Sequence, residues 1–315
     1  MGIAVFGSVF VDIKGYPEPG FNPKGRNAGR VRTVHGGVSR NIAEDIANVE
    51  LRPTFVSLVD DNGTGTDVIE KLKRHKVDTR YIRRVKDGMG IWLAVFDNDG
   101  DVAASVSQRP DMSAIGEILN ESGDEIISGC DSVIVEIDMD PPLLSRIFAL
   151  AEKHGKDVYA VVSNMSIAVE RRDFLKRVRC FVCNQLEAGL LFMEDYDGLS
   201  PEEMEALLPE RIRRANIPSM VVTMGALGAV YADTDKDHGI VLPLPVDVKD
   251  TTGAGDSFFA GVAIGLTYGK TLREACDIGT RLANAVIATT ENVCPRFLPG
   301  EFGLEVNTDG SDEFI

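Results

Sequence analysis

Short apolar runs alternate with amphipathic segments along most of the chain. The runs that predict strands are residues 3–6, 54–59, 132–137, 158–162, 180–184 and 219–224. The segments with helical spacing of apolar positions are 39–50, 65–75, 141–154, 185–193, 201–214 and a last one after residue 256. Strands that alternate with helices indicate a parallel sheet covered on both faces. We therefore predict an α/β fold: a doubly wound, mostly parallel sheet with helices on both faces.

Two stretches break the alternation. Residues 14–37 are rich in proline and glycine and show no helical period, whereas residues 90–108 alternate apolar and polar positions on either side of "DNDG", which predicts a hairpin. We expect a small β-element made of 14–37 and 88–108, standing off an α/β domain made of 1–13, 38–87 and 109–300. Residues 301–315 form an acidic tail whose last residues we expect to fray.

Charge and composition narrow the class of protein. The 315 residues are 44% hydrophobic and 26% charged, as in ordinary globular proteins, and the formal net charge is -16. Nucleic-acid binding depends on lysine and arginine that neutralise phosphates, so this charge argues against it. No apolar run approaches the ~18 residues of a membrane span. The start "MGIAVFGSVFVDI" lacks a basic segment and a cleavage site. We expect a cytoplasmic protein without a nucleic-acid or membrane partner.

The five cysteines are expected to be structural. Their odd number and scattered positions suggest a reducing compartment. Cys180 and Cys183 form a C-x-x-C, but it lies in an apolar, strand-like run, and no second pair or close histidines accompany it. Buried core thiols are therefore favoured over a metal or redox site.

The stretch "KDTTGAGDSFFAG" (249–261) carries the strongest candidate chemistry. Gly253, Ala254 and Gly255 let the backbone approach a ligand closely at the start of a helix, where free N–H groups and the helix dipole favour an anion. Asp256 follows them, and its carboxylate could take a proton from a hydroxyl that attacks a phosphoryl group. The alternative is that Asp256 is a helix N-cap after a glycine turn.

Two polar positions near the N-terminus are candidate ligands for a substrate. Gly36 and Gly37 precede a helix that carries Asn41, whose amide both donates and accepts hydrogen bonds. Asp12 follows the first strand, at the edge where open α/β sheets bind ligands, and it could anchor hydroxyls of a polyol. The alternatives are a turn with a polar helix start and a loop aspartate.

Two later patterns suit a nucleotide and its metal. Asn184 and Glu187 lie on one face of a first helical turn and could hold a hydrated Mg²⁺ against phosphate oxygens, or they could simply cap the helix. Gly225 and Gly228 separate two strand-like runs and could form a β-turn or an approach for nucleotide phosphates.

Other motifs are excluded by spacing. Gly269 and Lys270 are followed by Thr271, but a P-loop needs a glycine at the position of Ile264, and the stretch ends a helix. The histidines are dispersed, and neither H-E-x-x-H nor G-x-S-x-G occurs.

In this order, the patterns "GGVSRNIA" (36–43) and "DTTGAGDSFFAG" (250–261) resemble the ribokinase-like carbohydrate kinases of the PfkB family, from residue 1 to about 300. The resemblance implies ATP-dependent transfer of the γ-phosphoryl group to a hydroxymethyl group of a sugar or nucleoside. It also implies that the small β-element is a lid over the sugar, which in some members pairs two copies into a homodimer.

The resemblance further implies a role for each matching residue. Asp256 matches the catalytic base, and Gly253, Ala254 and Gly255 match the backbone anion hole. The matches to substrate-hydroxyl ligands are Asp12, Gly36, Gly37 and Asn41. The matches on the nucleotide side are Asn184, Thr223, Gly225, Gly228 and, near the adenine, Asn284. Glu187 matches a residue that organises Mg²⁺ through water, while Asp250 and Thr252 match ligands of the K⁺ that the family often uses.

The acceptor is the least defined part of this hypothesis. "DIKGY", "NAGRVRTVHGGVSRNIAE", "RPDM" and "TTENVCP" look most like the pseudouridine kinase branch. The chain departs from that branch at "AVVSN" (160–164), where "VDPVS" is usual, and at Cys294, near an expected asparagine. Pseudouridine or another ribosyl compound is favoured, and a free ketose or aldose is the next hypothesis. The rival from another class is a catalytically silent sugar- or nucleotide-binding regulator on the same fold.

Overall fold

In the computed structural model, which describes residues 2–98 and 102–305, the chain forms a nine-stranded sheet and a separate four-stranded sheet. The strands are β1 (Ile3–Phe6), β2 (Phe10–Pro17), β3 (Gly29–Gly36), β4 (Thr54–Asp60), β5 (Ile82–Val85), β6 (Gly90–Phe96), β7 (Val102–Gln108), β8 (Ser132–Glu136), β9 (Val158–Val161), β10 (Cys180–Asn184), β11 (Ser219–Thr223), β12 (Ala229–Asp233) and β13 (His238–Val241). The helices are α1 (Val38–Asn48), α2 (Gly63–Arg74), α3 (Ile115–Ser128), α4 (Pro141–Lys153), α5 (Met165–Ala168), α6 (Arg172–Leu175), α7 (Gln185–Phe192), α8 (Pro201–Ala215), α9 (Ala254–Thr267) and α10 (Leu272–Ile287).

The large sheet has the predicted parallel architecture. Its strand order is β13-β12-β11-β10-β9-β8-β1-β4-β5. Each described neighbour pair is parallel except the two that β12 makes, with β11 and β13. The prediction of a mostly parallel sheet is confirmed. Parallel strands place their carboxyl ends at one edge, which is where ligands bind in open sheets of this kind.

Alternate side chains of the strands enter two separate cores, one on each face of the sheet. In β1, Ala4 and Phe6 pack with residues of α3, α4, α7 and α8, whereas Ile3 and Val5 pack with residues of α1, α2, α9 and α10. Successive side chains of a strand point to opposite faces, so a run that is apolar throughout is buried on both sides. This explains why the strands read as short unbroken apolar runs.

The small sheet has the strand order β3-β2-β6-β7. Strands β6 and β7 pair antiparallel, which confirms the hairpin predicted in 90–108, although residues 99–101 of its turn lie outside the described part. Strand β2 pairs antiparallel with β3 and begins at Phe10, within the range predicted for the α/β domain. The division into domain and lid stays a prediction. The predicted fraying tail lies outside the described residues from position 306 onward.

The five cysteines are all free and buried. Burial raises the pKa of the Cys180 thiol to about 12 and raises that of Cys183 well above its usual value, as suits inert core thiols. Among the described residues, no helix combines the length and apolar character needed to cross a bilayer.

Candidate active site

Helix α9 packs closely against α10 through glycines. A Cβ on Gly261 would lie 2.5 Å from the Cα of Gly279, so α9 and α10 approach to backbone contact. Gly253 is the N-cap of α9 and has a φ of 84°, in the left-handed region that favours glycine. Asp256 is therefore the third residue of the helix, and the alternative that it is the N-cap is wrong.

The backbone donors at this helix start are mostly free. Within the described residues, the N–H groups of Gly253, Gly255 and Asp256 have no hydrogen-bond acceptor. The Ala254 N–H differs, because it donates to the carbonyl oxygen of Thr251 at 3.2 Å. Free donors at the positive end of a helix dipole can hold an anion, so Gly253, Gly255 and Asp256 are the candidate donors here, while the Ala254 N–H is used within the turn.

Asp256 is half-buried, and an asparagine chain fixes its orientation. Asn41 donates from Nδ2 to Asp256 Oδ2 at 2.6 Å, and Asn292 donates from Nδ2 to Asn41 Oδ1 at 3.2 Å. Burial raises the pKa of Asp256 to about 6, against the lowering effect of the Asn41 hydrogen bond and the Arg40 charge. A carboxylate with this pKa is ionised at neutral pH and still basic enough to take a proton.

Asp12 lies beside this carboxylate. A Cβ on Gly36 would be 2.5 Å from the Asp12 carboxylate, so only glycine leaves room for it. Gly37 has a φ of 100° and is the N-cap of α1, which starts directly opposite α9. The negative charge of Asp12 is among the causes that raise the pKa of Asp256, so the two acids lie within range of each other's charge.

Behind Asn41 lies a buried ion network that the sequence motifs do not predict. Arg40 and Glu44 are 1% and 0% exposed and form a 2.6 Å ion pair one helical turn apart in α1. Glu44 also receives Lys71 at 3.1 Å and His75 at 3.3 Å. Arg40 donates to the carbonyl oxygens of His35 at 2.5 Å and of Gly36 at 3.4 Å. The network therefore ties α1 to the strand end that carries Gly36.

Asn184 and Glu187 cap α7. Glu187 N–H donates to Asn184 Oδ1 at 2.8 Å, and Asn184 N–H donates to Glu187 Oε2 at 2.8 Å. The capping pair weighed in the sequence analysis is thus present. Glu187 is also close to the acids of the site, since its charge helps to raise the pKa of Asp256 and that of Asp138 helps to raise its own.

A cavity of about 600 Å³ opens beside the start of α9. It brings together four of the residues matched to the nucleotide side with two from the glycine-rich turn: Thr223, Gly225, Gly228, Asn284, Ala254 and Gly255. Its other walls are mainly apolar, with Val246, Phe258 and Ile287 among them. Gly225 and Gly228 form the turn between β11 and β12 with φ values of 58° and 97°. Asn184 instead lines an adjacent cavity of about 710 Å³ that shares Thr223 and Gly225.

The metal candidates are only loosely grouped. In the described part of the chain, no cluster of three or more histidine, cysteine or acidic residues could by itself enclose a metal ion. Glu187 keeps one carboxylate oxygen outside its capping bond, and this suits a Mg²⁺ that retains most of its waters. Asp250 accepts from the Thr252 N–H at 2.8 Å, which places these two residues in one tight turn before α9.

Substitution by alanine is expected to destabilise the protein strongly at Gly253 and only slightly at Gly255, two glycines of the same turn. In Gly253→Ala, a Cβ would overlap the carbonyl oxygen of Asn292, and the left-handed φ would add about 1–2 kcal/mol. A Cβ on Gly255 would meet nothing within 4 Å, so Gly255→Ala is the matched control. We expect urea unfolding to show at least about 2 kcal/mol lost in the first variant and under about 0.5 kcal/mol in the second. Equal losses would contradict the described turn.

Comparison with known proteins shows the family of the chain. The chain matches the family described as pfkB family carbohydrate kinase over residues 2–293. It is 35% identical to a guanosine-inosine kinase of Exiguobacterium acetylicum over 292 residues, which are 92% of this chain and 95% of that protein. It is 25% identical to a pseudouridine kinase of Escherichia coli over 281 residues, 87% of each chain.

The fold is shared with solved structures. A ribokinase of Arabidopsis thaliana, complexed with ribose and ATP, superposes with a TM-score of 0.81 at 20% identity, covering 94% of this chain and 96% of that one. A ribokinase of Giardia lamblia gives a TM-score of 0.81 at 17% identity over 94% and 97%. The chain belongs to the pfkB family of carbohydrate kinases and is a phosphotransferase with a hydroxyl group as acceptor.

Proposed function

We propose that this protein is an ATP-dependent nucleoside kinase that phosphorylates the 5′-hydroxymethyl group of a ribonucleoside. The observation that carries the proposal is Asp256: a half-buried carboxylate with a pKa of about 6, next to free backbone donors and directly after Ala254 and Gly255, which line the 600 Å³ cavity. This places a base and an anion site within one helical turn, which is the pairing that phosphoryl transfer requires.

ATP occupies the cavity of about 600 Å³, a volume typical of small-molecule sites. The adenine lies between the apolar walls near Asn284, and the phosphates run past Gly225 and Gly228 toward the start of α9. The free N–H groups of Gly253, Gly255 and Asp256 hold the terminal phosphate.

The acceptor lies on the Asp12 side of Asp256. Asp12, Gly36 and Gly37 receive the sugar hydroxyls. Asn41 already donates to Asp256, so its main role is to hold that carboxylate toward the acceptor. The acceptor oxygen attacks the γ-phosphorus and loses its proton to Asp256, while the bond from the γ-phosphorus to the β–γ bridging oxygen breaks and ADP leaves. The free amides stabilise the charge that develops on the transferred group.

Mg²⁺, when bound, neutralises part of the charge on the β- and γ-phosphates. Glu187 would hold it through water, and the nearby charge of Asp138 adds to the negative field there. Asp250 and Thr252 are the candidate ligands for K⁺. Activity measured with and without K⁺ tests that assignment.

Purine nucleosides are the first acceptors to test. The chain is more similar to the guanosine-inosine kinase than to the pseudouridine kinase, with 35% against 25% identity, and in both the acceptor is a ribosyl compound. Pseudouridine, which the sequence motifs favoured, is the second acceptor in this proposal. A free sugar remains the alternative acceptor.

The small sheet is proposed as a lid and as a dimer surface. Asp12 is on the side of the small sheet that faces the site. Residues that alternate with Asp12 and with its paired residues lie on the other side of this sheet, which faces away. Among these, Val31, Leu93 and Val106 are 71%, 42% and 69% exposed. An apolar sheet face of this kind fits a second copy of the chain in a homodimer. A monomer in sedimentation equilibrium at micromolar concentration would contradict the dimer but not the kinase.

An acceptor panel tests the proposed function. ADP release is measured with ATP, Mg²⁺ and, in turn, inosine, guanosine, adenosine, cytidine, pseudouridine, ribose and fructose, with and without K⁺. We expect kcat/KM to be highest for inosine or guanosine. Highest activity with ribose or fructose would replace the nucleoside by a free sugar. No ADP release with any nucleoside of the panel would contradict the proposed nucleoside acceptor.

A further inference from the structure

The side of the small sheet that faces the active site carries two basic residues on neighbouring strands. The Asp12 carboxylate defines this side, because it lies against Gly36 and influences Asp256. Lys14 and Arg32 are directly paired across β2 and β3, two residues beyond the pair of Asp12 and Val34. Side chains two residues apart in a strand, and those of paired residues, share a face. Lys14 and Arg32 therefore lie on the Asp12 side.

Lys14 and Arg32 lie close to Asp12. Burial raises the pKa of Asp12, and the positive charge of Lys14 is the largest of the causes that lower it. Two residues along an antiparallel strand span about 7 Å, so the two basic side chains begin about one sugar ring away from Asp12. Trp92 pairs with Asp12 across β2 and β6 and adds an aromatic surface on the same side.

The two cations lack partners within the protein. In the described part of the chain, neither Lys14 nor Arg32 forms an ion pair or a side-chain hydrogen bond. Arg30, on the same strand and the same side, differs because it pairs with Glu18 at 2.7 Å. Like charges directly opposite each other destabilise a sheet. The charge of Lys14 acts on the Asp12 carboxylate on the same side, but among the described residues no carboxylate forms an ion pair with either cation.

We propose that Lys14 and Arg32 select the base of the nucleoside by binding the carbonyl and ring-nitrogen edge of a 6-oxopurine. This rests on the proposed function, which places the ribose at Asp12. Arginine binds the O6 and N7 atoms of such a base with two parallel hydrogen bonds, and lysine binds the same edge. Trp92 supplies a flat surface for the nucleoside, in the way that aromatic side chains support bases.

Single variants with a set of matched nucleosides test the proposal. Arg32→Gln and Lys14→Gln are compared with Arg30→Gln, a control on the same strand whose arginine is already paired to Glu18. The acceptors are inosine, purine riboside, which lacks the 6-oxo group, and pseudouridine. Melting temperatures of all variants show whether the fold is retained.

We expect wild type to prefer inosine to purine riboside. Arg32→Gln should lower kcat/KM for inosine roughly tenfold to a hundredfold, and Lys14→Gln by a smaller factor, because only arginine binds the edge bidentately. Purine riboside should change less than about threefold in either variant, and Arg30→Gln should change neither acceptor.

The possible outcomes distinguish a failure of base selection by Lys14 and Arg32 from a failure of the proposed function. If wild type phosphorylates nucleosides but Arg32→Gln loses inosine and purine riboside equally, or loses neither, base selection by these residues is wrong and the nucleoside kinase stands. If the variants lose activity only with pseudouridine, the proposal that the base is a 6-oxopurine is also wrong. If wild type phosphorylates only free sugars, both the inference and the proposed acceptor fall.

Discussion

Asp256→Asn is expected to lower kcat by about a thousandfold, within the range for loss of a general base. Asparagine keeps the shape of the side chain, and its Oδ1 can still accept the hydrogen bond from Asn41 Nδ2. The backbone donors of Gly253 and Gly255 are untouched, so ATP should bind within about twofold of wild type, as measured by titration calorimetry. Turnover above about a tenth of wild type would show that Asp256 is not the base.

The pH profile supplies a control for this variant. Burial raises the pKa of Asp256 to about 6, so its basic form is lost as the pH falls through that value. Wild-type kcat/KM should therefore decline toward acid with a midpoint near pH 6 and be level above it. The residual activity of Asp256→Asn should lack this acid limb. If the activity of the variant still declines toward acid pH with the same midpoint, the titrating group is not Asp256.

Arg40→Met is expected to lower the free energy of unfolding by about 3 kcal/mol, because it leaves the Glu44 carboxylate buried without its nearest partner. Lys71 and His75 still contact Glu44, so the loss should be at the lower end for broken buried ion pairs. The change also removes both hydrogen bonds to the His35 and Gly36 carbonyls. Urea unfolding at neutral pH measures the loss.

A double variant separates the contribution of the ion pair to stability from the contribution of side-chain packing. Replacing a buried pair by apolar residues of similar size is often nearly neutral, so Arg40→Met with Glu44→Leu should recover at least about half of the stability. It should not recover activity, since the hydrogen bonds from Arg40 to the His35 and Gly36 carbonyl oxygens stay lost. A single Arg40→Met that costs less than about 1 kcal/mol would mean that Lys71 and His75 suffice to neutralise Glu44.

The fold could be predicted from local pattern because the chain uses local rules consistently. Residues 3–6 read as a strand and form β1, with both of its faces buried. The helix predicted after residue 256 is α9, although it begins at Ala254. The boundary differs since Gly253, not Asp256, supplies the left-handed cap, and a glycine N-cap leaves no side-chain signal.

The site was predictable only as far as single motifs reach. Asp12, Asp256 and Glu187 belong to distant parts of the chain, yet the charges of Asp12 and Glu187 both help to raise the pKa of Asp256, and no single motif carries that relation. The motifs also do not predict contacts between residues that are far apart in the chain. Asn292 bonds Asn41 across 251 positions, and the stretch "TTENVCP" that contains it was interpreted only as a sign of the acceptor branch. Arg40 and Glu44 are four apart in α1, a spacing that favours an ion pair but does not predict its burial.

The direct test of the account is a crystal structure with a non-hydrolysable ATP analogue, Mg²⁺ and inosine. The account predicts the terminal phosphate within hydrogen-bond distance of the Gly253 and Gly255 nitrogens, and the inosine 5′-oxygen next to an Asp256 carboxylate oxygen. A terminal phosphate bound elsewhere, or an Asp256 side chain turned away from the acceptor, would contradict it.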